Sequence, residues 1–344
     1  MAGLVWYSRR PRPVDDYSFE DRVVVVTGGS RGLGLELSRR LAGEGARLAI
    51  LARDGEELNG AREELLLSTE VLAVPCDLRE QDQVEAAIAL VADHFEGIDV
   101  LINNAGVIQV GPIEHMTLAD FEESLAVHLW GPLYAINAAL PHLRRAGQAR
   151  IVNISSIGGR VAFPHLAPYA VGKFALGGLS AALRSELARH DIRVTTVFPG
   201  LMRTGSPPNA SFKGKFRKEY AWFSIFDSLP IVSMDAGDAA EEILEACRKG
   251  LPRLALSFKT KLAFAVEALF PEVTDDLLAL AGRLLPAPDP DRGTESRLGW
   301  ESQSAASPSI LTRLGDRATA ENNETVGMPD STRGDGTAPG LAFS

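Results

Sequence analysis

Residues 22–34 read RVVVVTGGSRGLG, and the fold turns on this stretch. Arg22 to Gly28 form a nearly unbroken β-branched run, the composition of a strand covered on both faces. A turn follows with glycines at 28, 32 and 34, and then a helical pattern begins. Glycine lets a backbone turn tightly and approach a ligand with no Cβ in the way. A helix starting there aims free N–H groups and the positive end of its dipole at the loop, which suits a pyrophosphate. A lone glycine-rich turn is weak evidence, whereas one that closes the first strand of a strand–helix–strand unit is strong.

Working outward, similar runs recur at Arg47–Ala52, Val71–Asp77, Val100–Gly106, Ala149–Ser156, Arg193–Gly200 and Arg253–Phe258. Segments of helix length, such as 81–95 and 166–189, lie between them. This alternation predicts an α/β, doubly wound (Rossmann) parallel sheet of about seven strands with helices on both faces. We place that domain at residues 21–258. Residues 1–20 read as a loose arm: Arg9, Arg10, Pro11 and Pro13 interrupt it, and it has no long apolar core of a signal peptide. Residues 205–235 break the rhythm with prolines, basic residues and aromatics just after a strand end. Two readings stay open there, a substrate lid or a surface loop packing its aromatics on the core. Residues 259–286 give two short amphipathic helices, read as core packing ahead of a wider apolar pocket or weak peripheral membrane contact. From 287 to 344 Ser, Thr, Gly, Pro, Asp and Asn dominate, so a disordered tail is expected, with a short ordered piece around SPSILTRLG (307–315).

The chain has 344 residues, 45% hydrophobic and 23% charged, the balance of an ordinary globular protein. A formal net charge of -10 argues against general nucleic-acid binding. Two cysteines, Cys76 and Cys247, are too few for a disulfide framework or a metal site and suit a reducing, cytoplasmic compartment. No run is apolar enough to span a membrane; the nearest, Leu262–Phe270, contains Glu267 and precedes Pro271.

Three motifs in order make the pattern specific: T-G-x-x-x-G-x-G (Thr27–Gly34), NNAG (Asn103–Gly106) and Tyr-x-x-x-Lys (Tyr169–Lys173). Over about residues 20–258 the chain resembles the short-chain dehydrogenase/reductase family, in its non-extended, single-domain branch. The resemblance implies a nicotinamide dinucleotide on the loop formed by Gly28, Ser30, Arg31, Gly32, Leu33 and Gly34. A free ribose 2′-hydroxyl is commonly held by an acid at the end of the second strand, whereas a 2′-phosphate needs cations. That position is Ala52, followed by Arg53, with Arg31 inside the loop and Asp54 partly offsetting them. We therefore expect NADP(H) in preference to NAD(H). By resemblance, Asp77 meets the adenine, Asn103 the ribose, Pro199 and Gly200 border the nicotinamide, and Thr204 contacts its carboxamide. The residues also allow plainer readings: Asp77 capping a turn, Asn103 holding backbone, and Pro199-Gly200 as a turn. The family also implies a homodimer or homotetramer.

Tyr169 and Lys173 stand at i and i+4 on one helical face, and Ser156 ends a strand thirteen residues earlier. Free tyrosine, with a pKa of about 10, transfers protons poorly near neutrality. A nearby ammonium favours the phenolate; a shift of ~3 units needs ~4 kcal/mol. In this reading Tyr169 is the general acid/base, Ser156 orients the substrate oxygen, and Lys173 tunes Tyr169 and holds the ribose. Ser155 supports the turn or the cofactor. One departure stands out in AVHLWGPL (126–133): His128 occupies the place where the family has an asparagine that helps a water reach the lysine. His128 could preserve that relay through its backbone, join the proton path, or mark a weakened relay. The expected function is hydride transfer between NADP(H) and a carbonyl or secondary alcohol, with a lipophilic small-molecule substrate. The alternative is a cofactor-binding sensor or scaffold with little catalysis.

Overall fold

The computed structural model describes residues 17–229, 233–291, 293–304, 307, 309 and 312–325. Strands form on the β-branched runs: β1 (Val23–Thr27), β2 (Arg47–Ala52), β3 (Val71–Pro75), β4 (Val100–Asn103), β5 (Gln109–Val110) and β6 (Arg150–Ile154). They continue as β7 (Arg193–Phe198), β8 (Met202–Arg203), β9 (Ser211–Lys213), β10 (Met234–Asp235), β11 (Arg253–Ala255) and β12 (Ser296–Leu298). The first helices are α1 (Gly32–Gly43), α2 (Gly55–Leu65), α3 (Gln81–Phe95), α4 (Leu118–Leu125), α5 (Gly131–Ala146) and α6 (Ala167–Leu187). After these come α7 (Phe216–Ser228), α8 (Ala236–Arg248), α9 (Ser257–Leu269), α10 (Pro271–Leu284) and α11 (Arg313–Glu321).

Seven strands make one sheet in the order β3-β2-β1-β4-β6-β7-β11, every pairing parallel. Side chains of β1 alternate between its faces. Val24 and Val26 join Leu37 and Leu41 of α1 and Ile243 and Leu244 of α8. Val23 and Val25 join Ile88 and Val91 of α3 and Ile136 and Leu143 of α5. Each such side chain contributes roughly 1.5–3 kcal/mol of burial, which drives both layers onto the sheet. Strand order reverses between β1 and β4, which opens a crevice at their carboxyl ends. The glycine loop after β1 and Ser156 after β6 both lie at that end.

The arm is seated where it is described. Tyr17 and Phe19 are buried; Tyr17 lies under the Arg150 guanidinium at 4.0 Å and Phe19 under Arg248 at 5.3 Å. Buried Arg150 also donates to the carbonyls of Cys247 (3.1 Å) and Gln148 (2.6 Å). Aromatic burial and the guanidinium explain why residues 17–20 differ from a loose arm; residues 1–16 lie outside the described residues.

Within residues 205–229 lie β9 and α7, and Ala210, Phe212, Tyr220 and Phe223 cluster with Val110 of β5. The rings of Tyr220 and Phe223 stand edge-on to Phe212 at 5.3 and 5.9 Å. Core packing holds for one face of α9, whose Phe264 meets Phe198 at 5.3 Å, and more thinly for α10, which has no fully buried residue but packs partly buried Leu278 on the same cluster. Phe258 and Leu269 of α9 and Leu277 and Leu284 of α10 are exposed. The tail departs most from expectation. β12 pairs antiparallel with β9, which pairs with β5. α11 begins inside 307–315 and packs on the segment carrying α7, where Ser228 Oγ donates to the Thr312 carbonyl at 3.3 Å. Its order comes from a strand edge and a helix face elsewhere in the chain, which composition does not record. Residues 326–344 lie outside the described residues.

Candidate active site

The glycine loop is held from below by the NNAG segment. Thr27 Oγ1 accepts from the N–H groups of Asn104 (3.0 Å) and Ala105 (3.3 Å), and Asn104 Nδ2 donates to the carbonyls of Thr27 (3.1 Å) and Gly28 (3.2 Å). Gly28 has φ +65, and a Cβ there would lie 2.9 Å from Ala105 Cα. At Gly34 a Cβ would lie 1.9 Å from the Gly28 carbonyl oxygen, so α1 can start only on glycine. Leu33 and Ser30 are buried in the loop.

Beneath the loop lies an acid that sequence reading passed over. Glu57, buried in the first turn of α2, accepts from Ser30 Oγ at 3.1 Å and from Arg31 Nη1 at 2.9 Å. Its only signal was an acid shortly after the cap Asp54, which accepts from the Glu56 and Glu57 N–H groups at 2.9 Å. Arg53 is exposed at the end of β2. Asp77 caps its turn through the Arg79 N–H and grips the Arg79 guanidinium at 3.0 Å, which holds its carboxyl below the usual range. Asn103 is buried in the sheet, its Nδ2 donating to Asn153 Oδ1 at 2.8 Å. Across the crevice, Thr204 Cβ lies 3.8 Å from the position of a Cβ on Gly32. The Pro199 carbonyl accepts from the Ile157 N–H at 2.6 Å, and a Cβ on Gly200 would lie 3.0 Å from Thr260 Oγ1.

The end of β6 and the start of α6 are stapled together. Ser155 Oγ donates to the Lys173 carbonyl at 2.8 Å, and Lys173 Nζ donates to the Ile154 carbonyl at 2.9 Å. Ser156 Oγ accepts from the Gly158 N–H at 3.0 Å and stands beside the Tyr169 ring, 3.4 Å from where a Cβ on Gly158 would lie. The Tyr169 ring lies on Gly158, where a Cβ would come within 3.3 Å of it. Lys173 Nζ is 5.7 Å from the ring centroid. Ser156, Tyr169 and Lys173 thus converge at the crevice. Their electrostatics differ from expectation. Burial drives the Lys173 ammonium down to about 7, so near neutrality it is only partly charged. Burial also raises Tyr169. Desolvation outweighs attraction here because Nζ is directed to a carbonyl rather than to the phenol.

His128 is fully buried on a π-helical turn, Ala126–Trp130. Nε2 accepts from the Val107 N–H at 3.2 Å. Nδ1 meets Ser124 Oγ at 3.1 Å, while that hydroxyl donates to the Pro168 carbonyl at 2.6 Å. The network assigns the neutral, Nδ1-protonated imidazole, and burial followed by the Lys173 charge holds its pKa well below the ordinary value. Both ring nitrogens are engaged, so the ring supports the site rather than passing protons. Its edge-on contact with Tyr169, at 5.5 Å between centroids, fixes the phenol from one side. The segment 205–235 joins the same region through Glu219, which meets His165 Nδ1 at 2.9 Å and accepts from Trp222 Nε1 at 2.7 Å.

Among the described residues no three His, Cys, Asp or Glu side chains cluster as a metal site, and no helix is long and apolar enough to cross a membrane. The short chain dehydrogenase family model matches residues 22–211. SadH, a candidate oxidoreductase of Mycobacterium tuberculosis, is 34% identical over 71% of this chain and 89% of its own. The 3-dehydrosphinganine reductase TSC10A of Arabidopsis thaliana is 34% identical over 73% of this chain and 75% of its own. A short-chain dehydrogenase structure from Streptomyces avermitilis superposes with a TM-score of 0.65 at 28% identity, covering 78% of this chain and 100% of that one. Motif order, sheet order and these likenesses agree: the chain belongs to the short-chain dehydrogenase/reductase family of NAD(P)-dependent oxidoreductases.

Proposed function

We propose that this enzyme reduces a lipophilic carbonyl compound to a secondary alcohol with NADPH, Tyr169 acting as the proton donor. The observation that carries this is the convergence of three side chains: Ser156 Oγ and the Tyr169 ring both lie within 3.4 Å of a Cβ position on Gly158, and Lys173 Nζ is 5.7 Å from the centroid of that ring. The loop fits a dinucleotide: side chains at 28 and 34 would collide with backbone, and the α1 N-terminus opens onto the crevice. Arg31 and exposed Arg53 are the cations for a 2′-phosphate. Thr204, Pro199 and Gly200 line the other bank, and Lys173 reaches the ribose hydroxyls. When bound, the cofactor supplies the hydride. Tyr169 gives its phenolic proton to the carbonyl oxygen, which Ser156 orients. The lid reading of residues 205–235 and the reductase named for 3-dehydrosphinganine support a lipophilic substrate.

The test is NADPH consumption across a panel of aldehydes and ketones. Tyr169→Phe should lower kcat by roughly 10²–10⁴-fold while the NADPH Kd changes less than about twofold. NADPH binding with no turnover on any carbonyl would point to a sensor instead. Arg53→Ala should weaken NADPH relative to NADH; an unchanged ratio removes Arg53 from the cofactor site.

A further inference from the structure

We propose that Asn322–Glu324, just after α11, is a built-in ligand of the phosphate cradle that closes the dinucleotide crevice and leaves when the cofactor enters. The idea rests on the dinucleotide reading of the glycine loop given above. The segment takes the very groups a pyrophosphate would use. The Gly32 N–H, at the start of α1, donates to the Asn322 carbonyl at 2.9 Å. The Glu324 carboxylate is buried, with Oε1 lying 2.7 Å from where a Cβ on Gly32 would stand. Its Oε2 lies 3.5 Å from Arg31 Nε. A carboxylate and a phosphate cannot share one set of donors, and their like charges exclude each other.

The segment also ties the two banks of the crevice together. On the glycine side, Asn323 Nδ2 donates to the carbonyls of Ser30 (2.9 Å) and Glu57 (3.2 Å), and Arg39 Nη1 donates to Asn322 Oδ1 at 3.2 Å. On the opposite side, Asn322 Nδ2 donates to the Thr204 carbonyl at 3.2 Å. Asn209 Nδ2 donates to the Glu324 carbonyl at 2.9 Å and to its Oε2 at 2.6 Å. Thr204 borders the segment expected to cover the substrate and Asn209 lies within it, and α11 packs against it so closely that a Cβ on Gly205 would lie 2.4 Å from Thr319 Cα. Release of Asn322–Glu324 therefore unties the cover as it frees the cradle, which couples cofactor entry to opening of the substrate side.

Hydrogen exchange on the full chain, with and without saturating NADPH, reads this directly. Exchange of amides in 320–325 should rise about tenfold on binding, as for a segment seated nine-tenths of the time. Asn323→Ala and Glu324→Gln should each tighten the NADPH Kd several-fold, towards that same factor. Bound NADPH with 320–325 still protected, or unchanged or weaker binding in both variants, overturns the strap and leaves the dinucleotide site standing. No binding of NADPH or NADH by wild type or variants overturns the dinucleotide reading, and the strap with it.

Discussion

Lys173 carries an amine buried to 4% exposure, and its charge is costly there. Its folded pKa of about 7 lies below the ordinary 10.5 of a lysine, so between these limits the unfolded chain binds more protons and stability rises with pH. Removing the amine should therefore stabilise most at low pH. Lys173→Met should raise Tm at pH 6, and the advantage should shrink steadily from about pH 7 towards pH 10; a pH-independent difference would contradict the burial argument. The candidate catalytic residues Ser156, Tyr169 and Lys173 were legible because they follow a helical repeat and a strand end, both local patterns. Glu57 and Glu324 were not: each meets Arg31 only through folding, from a different helix or from the far end of the chain. His128 was legible as a departure, yet its tautomer depends on Val107, Ser124 and Pro168, which no spacing rule connects.

At the scale of the element, α6 shows how glycine placement sets the site. A Cβ on Gly172 would stand 2.6 Å from Ser124 Oγ and 2.7 Å from His128 Nδ1, whereas one on Gly178 meets nothing within 4 Å. Gly172→Ala should push α6 away from the π-turn, cost about 1–3 kcal/mol and lower kcat, since Tyr169 and Lys173 ride on the same helix. Gly178→Ala, in the same helix, should stabilise by roughly 0.5–1 kcal/mol through helix propensity alone. Chemical denaturation of the pair checks both, and equal effects would remove the close approach as a cause. The seven main strands could be read in advance because parallel strands buried on both faces leave unbroken apolar runs. The strand Ser296–Leu298 could not, since all three of its residues are exposed and its pairing partner lies more than eighty residues earlier.

For the whole molecule, the outer face of α6 presents exposed Val171 and Phe174, beside the helix turns that hold the active residues. If the enzyme assembles through this face, as we propose for a dimer or tetramer, Phe174→Glu should lower its mass in light scattering to that of the monomer. A monomeric wild type would end that proposal. Arg150 bears on robustness rather than turnover. It sits at the amino end of β6, the opposite end from Ser156, with a cation that among the described residues is shielded by carbonyl oxygens and the Tyr17 ring instead of an anion. Tyr17 thus works as a stopper driven into the floor of the molecule. Tyr17→Ala would let solvent reach the guanidinium and should lower Tm by an amount equivalent to about 3–5 kcal/mol, leaving the NADPH Kd untouched. Heat tolerance and ligand affinity can then be tuned from opposite poles of one sheet.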